Sequence, residues 1–249
     1  MNVYSLMIGF GASIGLIKIL LMAPTNHRIR WLITGIAVLL FSWLGARLVY
    51  MLSALSYFSK YSSQIFNFSS GGYHWFGAII GFIFSAVLTG RITRTSVFEV
   101  LDRMCVLIAP LTVAAWLAAW QSGLAYGSAL ETGTWWGMMT KNEIGTVALR
   151  APVQPLAAVS ALLFLALTEK KMNKSHISGD KAGAVGMVFA LHCLVFSFMR
   201  ADPVQHWLGL RLDTWMSLFT LIGILTAIFV NFRKKKLINA TPNSVDGVA

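Results

Sequence analysis

The sequence predicts an all-α integral membrane protein with about seven transmembrane helices. Of its 249 residues, 57% are hydrophobic and only 12% are charged, and the mean hydropathy is +0.69. A soluble domain contains about 25% charged residues, so a soluble fold would have to bury nearly the whole chain. Seven apolar runs each approach or exceed the roughly 17–25 residues that a transmembrane helix needs. They span approximately residues 3–22, 31–57, 71–89, 104–126, 152–168, 183–199 and 214–232.

The length allows one helical bundle with short loops. We predict a single transmembrane bundle over residues 1–232, followed by a cytoplasmic tail over 233–249 that begins with four basic residues, turns polar and is expected to be disordered. The N-terminus lacks the basic region that opens a signal peptide, so the first run is expected to stay in the mature protein. Cys105 and Cys193 both fall inside apolar runs, which argues against a disulfide bond and against a metal site.

The distribution of basic residues predicts the orientation in the membrane. The loops after the first, third and fifth runs, together with the tail, contain 13 of the 20 Lys and Arg residues, whereas the loops after the second, fourth and sixth runs contain five. Because cytoplasmic loops carry the excess of Lys and Arg, the N-terminus is expected outside and the C-terminus in the cytoplasm. The net charge of +11 is therefore assigned to topology and to anionic phospholipid rather than to nucleic acid.

Arg47 lies well inside the second apolar run. A charge at the centre of a membrane helix costs roughly 2.5–3.5 kcal/mol even on the more lenient scale, so such a residue is a hypothesis for a functional site. With a rise of 1.5 Å per residue, Arg47 is expected about 15 Å below the outer surface. Tyr50 shares its helix face. The alternative is a structural role, in which Arg47 reaches the surface or binds backbone carbonyls.

Further polar residues are expected to converge in the outer half of the bilayer. His74 is placed about one turn into the third run, and His192, Phe196 and Arg200 share one face of the sixth. No acidic residue falls inside the predicted spans, which argues against a cation-coupled transporter. A cationic, amide- and hydroxyl-lined set suits an anionic lipid headgroup. Each residue also has a structural alternative, either packing or anchoring at a helix end. The remaining members are Gln121, Tyr126, Arg150 and Gln154.

Several motifs stand in the order found in one bacterial family. The order resembles that of the prolipoprotein diacylglyceryl transferases over about residues 45–229, and the bundle orientation of that family agrees with the charge distribution. The motifs that carry the resemblance are Gly45-Ala46-Arg47-Leu48-Val49-Tyr50, the glycine-rich Gly71-Gly72-Tyr73-His74-Trp75-Phe76-Gly77-Ala78-Ile79-Ile80-Gly81, Asp102 with Pro110, Pro152-Val153-Gln154 and Arg200-Ala201-Asp202.

The resemblance implies an enzyme of the bacterial cytoplasmic membrane. Such an enzyme moves diacylglyceryl from phosphatidylglycerol to the lipobox cysteine in the signal-peptide region of a prolipoprotein, and it needs no cofactor, metal or nucleic acid. His192 and His74 are then the only candidate bases. The candidates for binding substrate and phosphate are Arg47, Tyr50, Arg150, Gln154 and Arg200. The residues of the structural motifs are Gly71, Gly72, Gly77, Gly81, Tyr126 and Gly127.

The chain departs from the family at its catalytic positions. The central histidine falls on Phe76, and in the signature segment over 115–127 only Ala118 and Gly127 match. The other replaced positions are Trp116, Ala119, Leu124 and Cys193. Three hypotheses follow: a divergent active transferase, a degenerate homologue that binds anionic phospholipid or lipoprotein precursors or acts on another lipid, and a small-molecule transporter. The lack of internal repeats argues against the transporter.

Overall fold

The computed structural model describes residues 3–67, 71–175 and 177–240, with side chains as far as residue 233. Among these residues, seven helical segments are long and apolar enough to cross a membrane. The predicted class, an all-α multi-pass membrane protein, is confirmed. The helices are α1 (Val3–Met22), α2 (Arg28–Ser53), α3 (Leu55–Lys60), α4 (Trp75–Thr93), α5 (Val97–Met104), α6 (Ile108–Ser122), α7 (Val153–Met172), α8 (Asp180–Met199) and α9 (Leu212–Ala240).

Two antiparallel hairpins interrupt the segments that the sequence analysis treated as loops. The first pairs β1 (Met138–Lys141) with β2 (Val147–Arg150), and the second pairs β3 (His206–Trp207) with β4 (Leu210–Arg211). The first hairpin lies in the connection between α6 and α7, and the second lies in the connection between α8 and α9. Both connections are at the same end of the bundle. We call this the Arg47 end, where α2, α6 and α8 end and α4, α7 and α9 begin. The opposite end is the Lys181 end.

Glycines allow a close crossing between α2 and α4. A Cβ atom on Gly81 would overlap the carbonyl oxygen of Phe41, and Gly45 and Gly77 face each other backbone to backbone. Small residues spaced four apart let membrane helices approach closely. The resulting van der Waals contacts hold the helices together, because the hydrophobic effect does not drive helix association within lipid. The glycines predicted as structural on α4 therefore pack against α2 two residues before Arg47.

The buried core lies between the helices, and large apolar side chains cover the outside. Trp31, Val38, Phe82 and Met104 pack together between α2, α4 and α5. In contrast, side chains such as Phe10 on α1 are largely exposed. In a bilayer this exposed surface contacts lipid, so its apolar character is the expected one.

Four expectations about the elements are wrong. The second run breaks at Ala54 before α3, and α4 starts at Trp75, so that His74 precedes the helix rather than lying one turn inside it. Helix α9 continues to Ala240, so residues 233–240 of the predicted disordered tail are helical; residues 241–249 lie outside the described residues. Finally, the spanning helices do contain acids, because α7 includes Glu169 and α9 includes Asp213.

Candidate functional site at the Arg47 end

The guanidinium of Arg47 is held by backbone carbonyls. The side chain is 3% exposed. Its Nη1 donates to two carbonyl oxygens at 2.5 and 3.3 Å, and Nη2 donates to three at 2.9–3.5 Å. The acceptors belong to Gly71 and Gly72, and to Gln64, Ile65 and Asn67. A planar guanidinium with five donors is suited to such a fork of acceptors. This geometry favours the structural alternative for Arg47.

Aromatic rings and glycines complete the surroundings of Arg47. The guanidinium carbon lies 5.5–5.9 Å from the ring centres of Tyr50, Phe58 and Tyr73, distances at which a cation is attracted to a ring face. Gly71 and Gly72 both have φ of +77°, which residues with a Cβ atom adopt only with strain. A Cβ on Gly72 would also overlap the Tyr50 ring. The glycine pair thus aims two carbonyls at Arg47.

A second group is an ion-pair network around Arg200. Its Nε and Nη2 donate to the carboxylate of Asp202 at 2.9 and 2.5 Å, and its Nη1 lies 3.0 Å from Oδ2 of Asp213. Arg211 donates to the same Asp202 carboxylate at 3.0 Å. Burial lowers the pKa of Arg200, but the hydrogen bond to Asp202 and the charge of Asp213 outweigh burial and raise that pKa above its usual value. Two arginines and two carboxylates therefore balance each other.

His74 belongs to the same network. Its Nδ1 accepts the backbone N–H of Phe76 at 3.3 Å and so caps α4. Since Nδ1 accepts, the proton lies on Nε2, which is 3.5 Å from Oδ1 of Asp213. The indole N–H of Trp75 donates to the same oxygen at 3.3 Å. Both nitrogens of His74 are therefore engaged, which weakens its candidacy as a base.

Removing the charge of Asp213 is expected to destabilise the protein. Asp213→Asn leaves Arg200 and Arg211 sharing one carboxylate, and breaking a buried ion pair costs about 3–5 kcal/mol. Thermal unfolding in detergent measures the loss. Adding Arg200→Gln should cost less than the sum of both single changes, since the two residues are coupled. Glu99→Gln is the control, because its pair with Arg103 is solvent-exposed. If Asp213→Asn and Glu99→Gln lower the unfolding temperature equally, the interpretation of a buried ion-pair network is contradicted.

His192 lies in a third group on α8. Its Nε2 accepts the indole N–H of Trp116 at 3.0 Å, and its Nδ1 is 3.4 Å from Oγ of Ser160. The predicted shared face with Phe196 is confirmed, since the two ring centres are 4.6 Å apart. Because Nε2 accepts, Nδ1 carries the proton and points at Ser160. The lone pair that would make His192 a base is therefore occupied by Trp116, and Ser160 is not activated as a nucleophile.

Arg150 differs from the other candidate arginines. Within the described residues its guanidinium makes no hydrogen bond or ion pair, and its buried Nε lacks a partner. Its guanidinium carbon lies 4.4 Å from the centre of the Tyr126 ring. Gln154, one turn further on and fully buried, donates from Nε2 to the Leu124 carbonyl at 3.0 Å, while its Oε1 has no partner among described atoms. This third arginine retains donors for an anion.

The segment after α6 connects two of these groups. Gly127 forms an isolated bridge with Arg200, and Ala129 forms one with Arg150. A Cβ on Gly127 would lie 2.5 Å from the carbonyl oxygen of Ala151, so this close approach requires glycine. Tyr126 and Gly127, predicted from the motifs, thus place Arg200 and Arg150 on either side of one short segment.

The acidic half of the site was not predicted from the sequence. Asp202 was noted only within a motif, and Asp213 and Arg211 were not considered, since they were assigned to a loop. An acid in the first turn of α9 is a recognisable signal, because a carboxylate is stabilised at a helix N-terminus. Across the described ranges, no group of three or more His, Cys, Asp or Glu side chains could hold a metal ion.

Comparison with known proteins agrees with the motifs. A family model described as prolipoprotein diacylglyceryl transferase matches residues 1–230. Two curated relatives from Nitratidesulfovibrio vulgaris, strains DP4 and Hildenborough, are named phosphatidylglycerol–prolipoprotein diacylglyceryl transferase, and each is 28% identical to this chain over 181 residues. The matched region is 70% of this chain and 65% of each relative, so the chain spans just under two thirds of the relatives' length. This chain therefore belongs to the prolipoprotein diacylglyceryl transferase family.

Proposed function

We propose that this chain transfers diacylglyceryl from phosphatidylglycerol to the cysteine thiol of a prolipoprotein, in the bacterial cytoplasmic membrane and with its Arg47 end outward. The cysteine sulfur attacks the carbon of the diacylated glycerol that is bonded to the phosphate through oxygen. A C–S bond forms, a C–O bond breaks and glycerol phosphate leaves. The departing phosphate takes up the proton of the thiol, so the reaction needs neither a protein nucleophile nor a free histidine base. The substrates are those in the names of the relatives.

The observation that carries this proposal is the unpaired guanidinium of Arg150. Arg47 donates to backbone carbonyls, and Arg200 faces two carboxylates, so neither offers its charge to a ligand. Arg150 has no such partner within the described chain, and its Nε is buried. Arginine binds phosphate through two parallel N–H donors. Arg150 is therefore the residue that we expect to contact the lipid phosphate.

A single positive charge at this place serves the reaction in two ways. Positive charge near a cysteine lowers the pKa of the thiol and increases the fraction of thiolate. The same charge stabilises the negative charge that develops on the departing phosphate, and a site that excludes water strengthens this effect. We expect Gln154, whose Oε1 lacks a partner in the described structure, to accept a hydrogen bond from a hydroxyl of the glycerol headgroup.

A second candidate function is binding of the same lipid or precursor without transfer. The observation that favours it is the hydrogen bond from Trp116 to His192. Trp116 stands where the resemblance places the signature arginine, and Phe76 where it places the central histidine. Under this alternative, the aromatic rings of Trp116 and Phe76 occupy the positions of the reacting groups. Arg150 then binds the lipid, but no transfer of diacylglyceryl follows.

Complementation tests the proposal. The chain is expressed in bacteria depleted of their own diacylglyceryl transferase, and a reporter prolipoprotein is followed by its gel shift. We expect rescue by the unaltered chain, and a rate lower by about 100-fold or more for Arg150→Gln, the order of effect seen when one preorganised donor is removed. Arg150→Lys should retain part of the rate. Lys141→Gln, an exposed change in the same hairpin, is the matched control and should rescue fully.

The outcomes separate the two candidates. Failure of the inserted, unaltered chain to rescue, with phosphatidylglycerol retained on purification and lost in Arg150→Gln, would support binding without transfer. Gain of rescue on combining Phe76→His with Trp116→Arg would strengthen that result. If the unaltered chain and Arg150→Gln rescue equally and retain lipid equally, the chain carries out the transfer but Arg150 does not bind the phosphate.

A further inference from the structure

A cavity of about 480 Å³ opens at the Lys181 end of the bundle, opposite the site described above. It lies among the ends of α1, α2, α5, α7 and α8, and its volume is within the range of about 300–1,000 Å³ typical of small-molecule sites. Its lining includes the apolar side chains of Met22, Trp31 and Met172 together with charged residues. No part of the proposed transfer reaction uses this cavity.

Most charges in and near the cavity have partners within the protein. Arg103 pairs with Glu99 at 3.2 Å, and its guanidinium carbon lies 4.5 Å from the centre of the Trp31 ring. The two oxygens of Asp102 accept the backbone N–H groups of Gly179 and Ala182 at 2.6 and 2.7 Å. These contacts satisfy the carboxylate and fix it at the start of α8.

A neighbouring ion pair, with a half-exposed lysine and a buried glutamate, also has its charges engaged within the protein. Lys18 on α1 lies 2.6 Å from the carboxylate of Glu169 on α7, and Glu169 is only 5% exposed. An ion pair at this distance leaves neither charge available to a ligand. The pair therefore explains how a bundle of apolar helices tolerates two ionised groups, and it supplies no counterion to the cavity.

Lys181 is the exception. It is 9% exposed, lines the cavity and is the second residue of α8. In the part of the chain that the structure describes, its ammonium group makes no hydrogen bond and has no carboxylate within 4 Å. The ammonium group borders the open volume of the cavity, so its charge is available to an anion that enters there. The helix N-terminus at Lys181 adds to the positive potential.

We propose that this cavity binds a phosphate group against Lys181. The apolar lining residues Met22, Trp31 and Met172 accommodate the carbon skeleton that carries the phosphate. Two sources share this chemistry: the headgroup of a phospholipid in the leaflet next to the Lys181 end, and a soluble phosphate ester. Asp102 accepts two backbone N–H groups and Glu99 pairs with Arg103, so among the described lining residues neither carboxylate occupies the hydrogen-bond donors of Lys181. The site is independent of the transfer reaction proposed for the Arg47 end.

Saturation binding to the purified full chain in detergent tests the proposal. The probes are dioctanoyl-phosphatidylglycerol, glycerol 3-phosphate, inorganic phosphate and uncharged dioctanoylglycerol. All variants carry Arg150→Gln, which removes the anion site proposed at the other end. We expect Lys181→Gln to weaken binding of a phosphate probe by about tenfold or more, since a hydrogen bond between charged groups is stronger than one between neutral groups. Lys181→Arg should retain most of the affinity, and Lys170→Gln, an exposed lysine at the same end, should retain all of it.

A labelling measurement on the chain with native Lys181 covers the case in which Lys181→Gln does not fold. Acetic anhydride modifies lysines, and mass spectrometry follows Lys181 and Lys170 separately. A phosphate probe should slow acetylation of Lys181 several-fold and leave Lys170 unchanged. Protection by the lipid alone identifies a membrane source, and protection by glycerol 3-phosphate or phosphate alone identifies a soluble source. Absence of protection by any phosphate probe, equal protection by dioctanoylglycerol, or binding that ignores Lys181→Gln would overturn the proposal.

Discussion

Replacing Arg47 by methionine is expected to destabilise the protein even without any lipid substrate. Methionine keeps much of the side-chain volume but removes every donor to the five carbonyls of the 64–72 segment. A buried acceptor left without a partner costs about 1–3 kcal/mol, and at least two acceptors lose theirs, so the free energy of unfolding should fall by about 4 kcal/mol. Thermal unfolding in detergent measures this loss. Cleavage within residues 64–72 by added protease should accelerate in parallel.

The control for Arg47 is Arg91, an exposed arginine at the other end of α4. Arg91→Met should leave the unfolding temperature nearly unchanged. Arg47→Lys should be intermediate, because an ammonium group cannot fork across carbonyls as a guanidinium does. If Arg47→Met unfolds like the unaltered chain but loses retained phospholipid, Arg47 is a phosphate ligand, and the structural interpretation is wrong.

Replacing Gly81 by alanine is expected to separate α2 from α4. The added methyl group would overlap the Phe41 carbonyl and would lie 2.9 Å from Cα of Ser42. Both are backbone groups, so no change of rotamer relieves the collision and the helices have to move apart. Overpacking costs about 1–3 kcal/mol when side chains adjust, and more where they are unable to. We expect a large loss of folded, monodisperse protein, measured by size-exclusion chromatography in detergent.

Two other helical glycines give matched controls. A Cβ on Gly9 in α1 or on Gly223 in α9 has no neighbouring atom within 4 Å. Gly9→Ala and Gly223→Ala should therefore keep the yield and should slightly raise thermal stability, since alanine restricts the unfolded chain more than glycine does. A yield for Gly81→Ala equal to that of these controls would show that the crossing is looser than the structure indicates.

The residues at the Arg47 end show what motifs convey and what they omit. Gly71 and Gly72 were predicted to be structural, and their positive φ angles give the reason. Arg47 was recognised as unusual, but its partners are carbonyls of a segment between α3 and α4, and no local pattern predicts where such a segment returns. Asp213 was missed because the predicted span began one residue after it, and a helix boundary is uncertain by that amount.

His192 shows the same limit for side-chain chemistry. Its position on α8 and its shared face with Phe196 follow from helical periodicity. Its availability as a base depends on Trp116, which is 76 residues away in the sequence and 3.0 Å away in space. Likewise, the sequence pattern predicted both Arg150 and Arg200 at helix ends, although Arg150 is the last residue of β2. Their surroundings in the fold differ: the guanidinium of Arg200 pairs with two carboxylates, whereas that of Arg150 has no hydrogen bond or ion pair within the described residues.

The sequence alone determined the class of this protein and its family. Long apolar runs can satisfy their backbone groups in lipid only as helices, and spaced glycines and arginines mark the family motifs without any reference to distant contacts. The tertiary structure decided which charges are compensated. Contacts between separate helices and loops determine which groups pair. Examples are Arg200 with Asp213, His192 with Trp116, and Arg47 with backbone carbonyls. Such contacts arise from packing in three dimensions, and a linear pattern does not contain them.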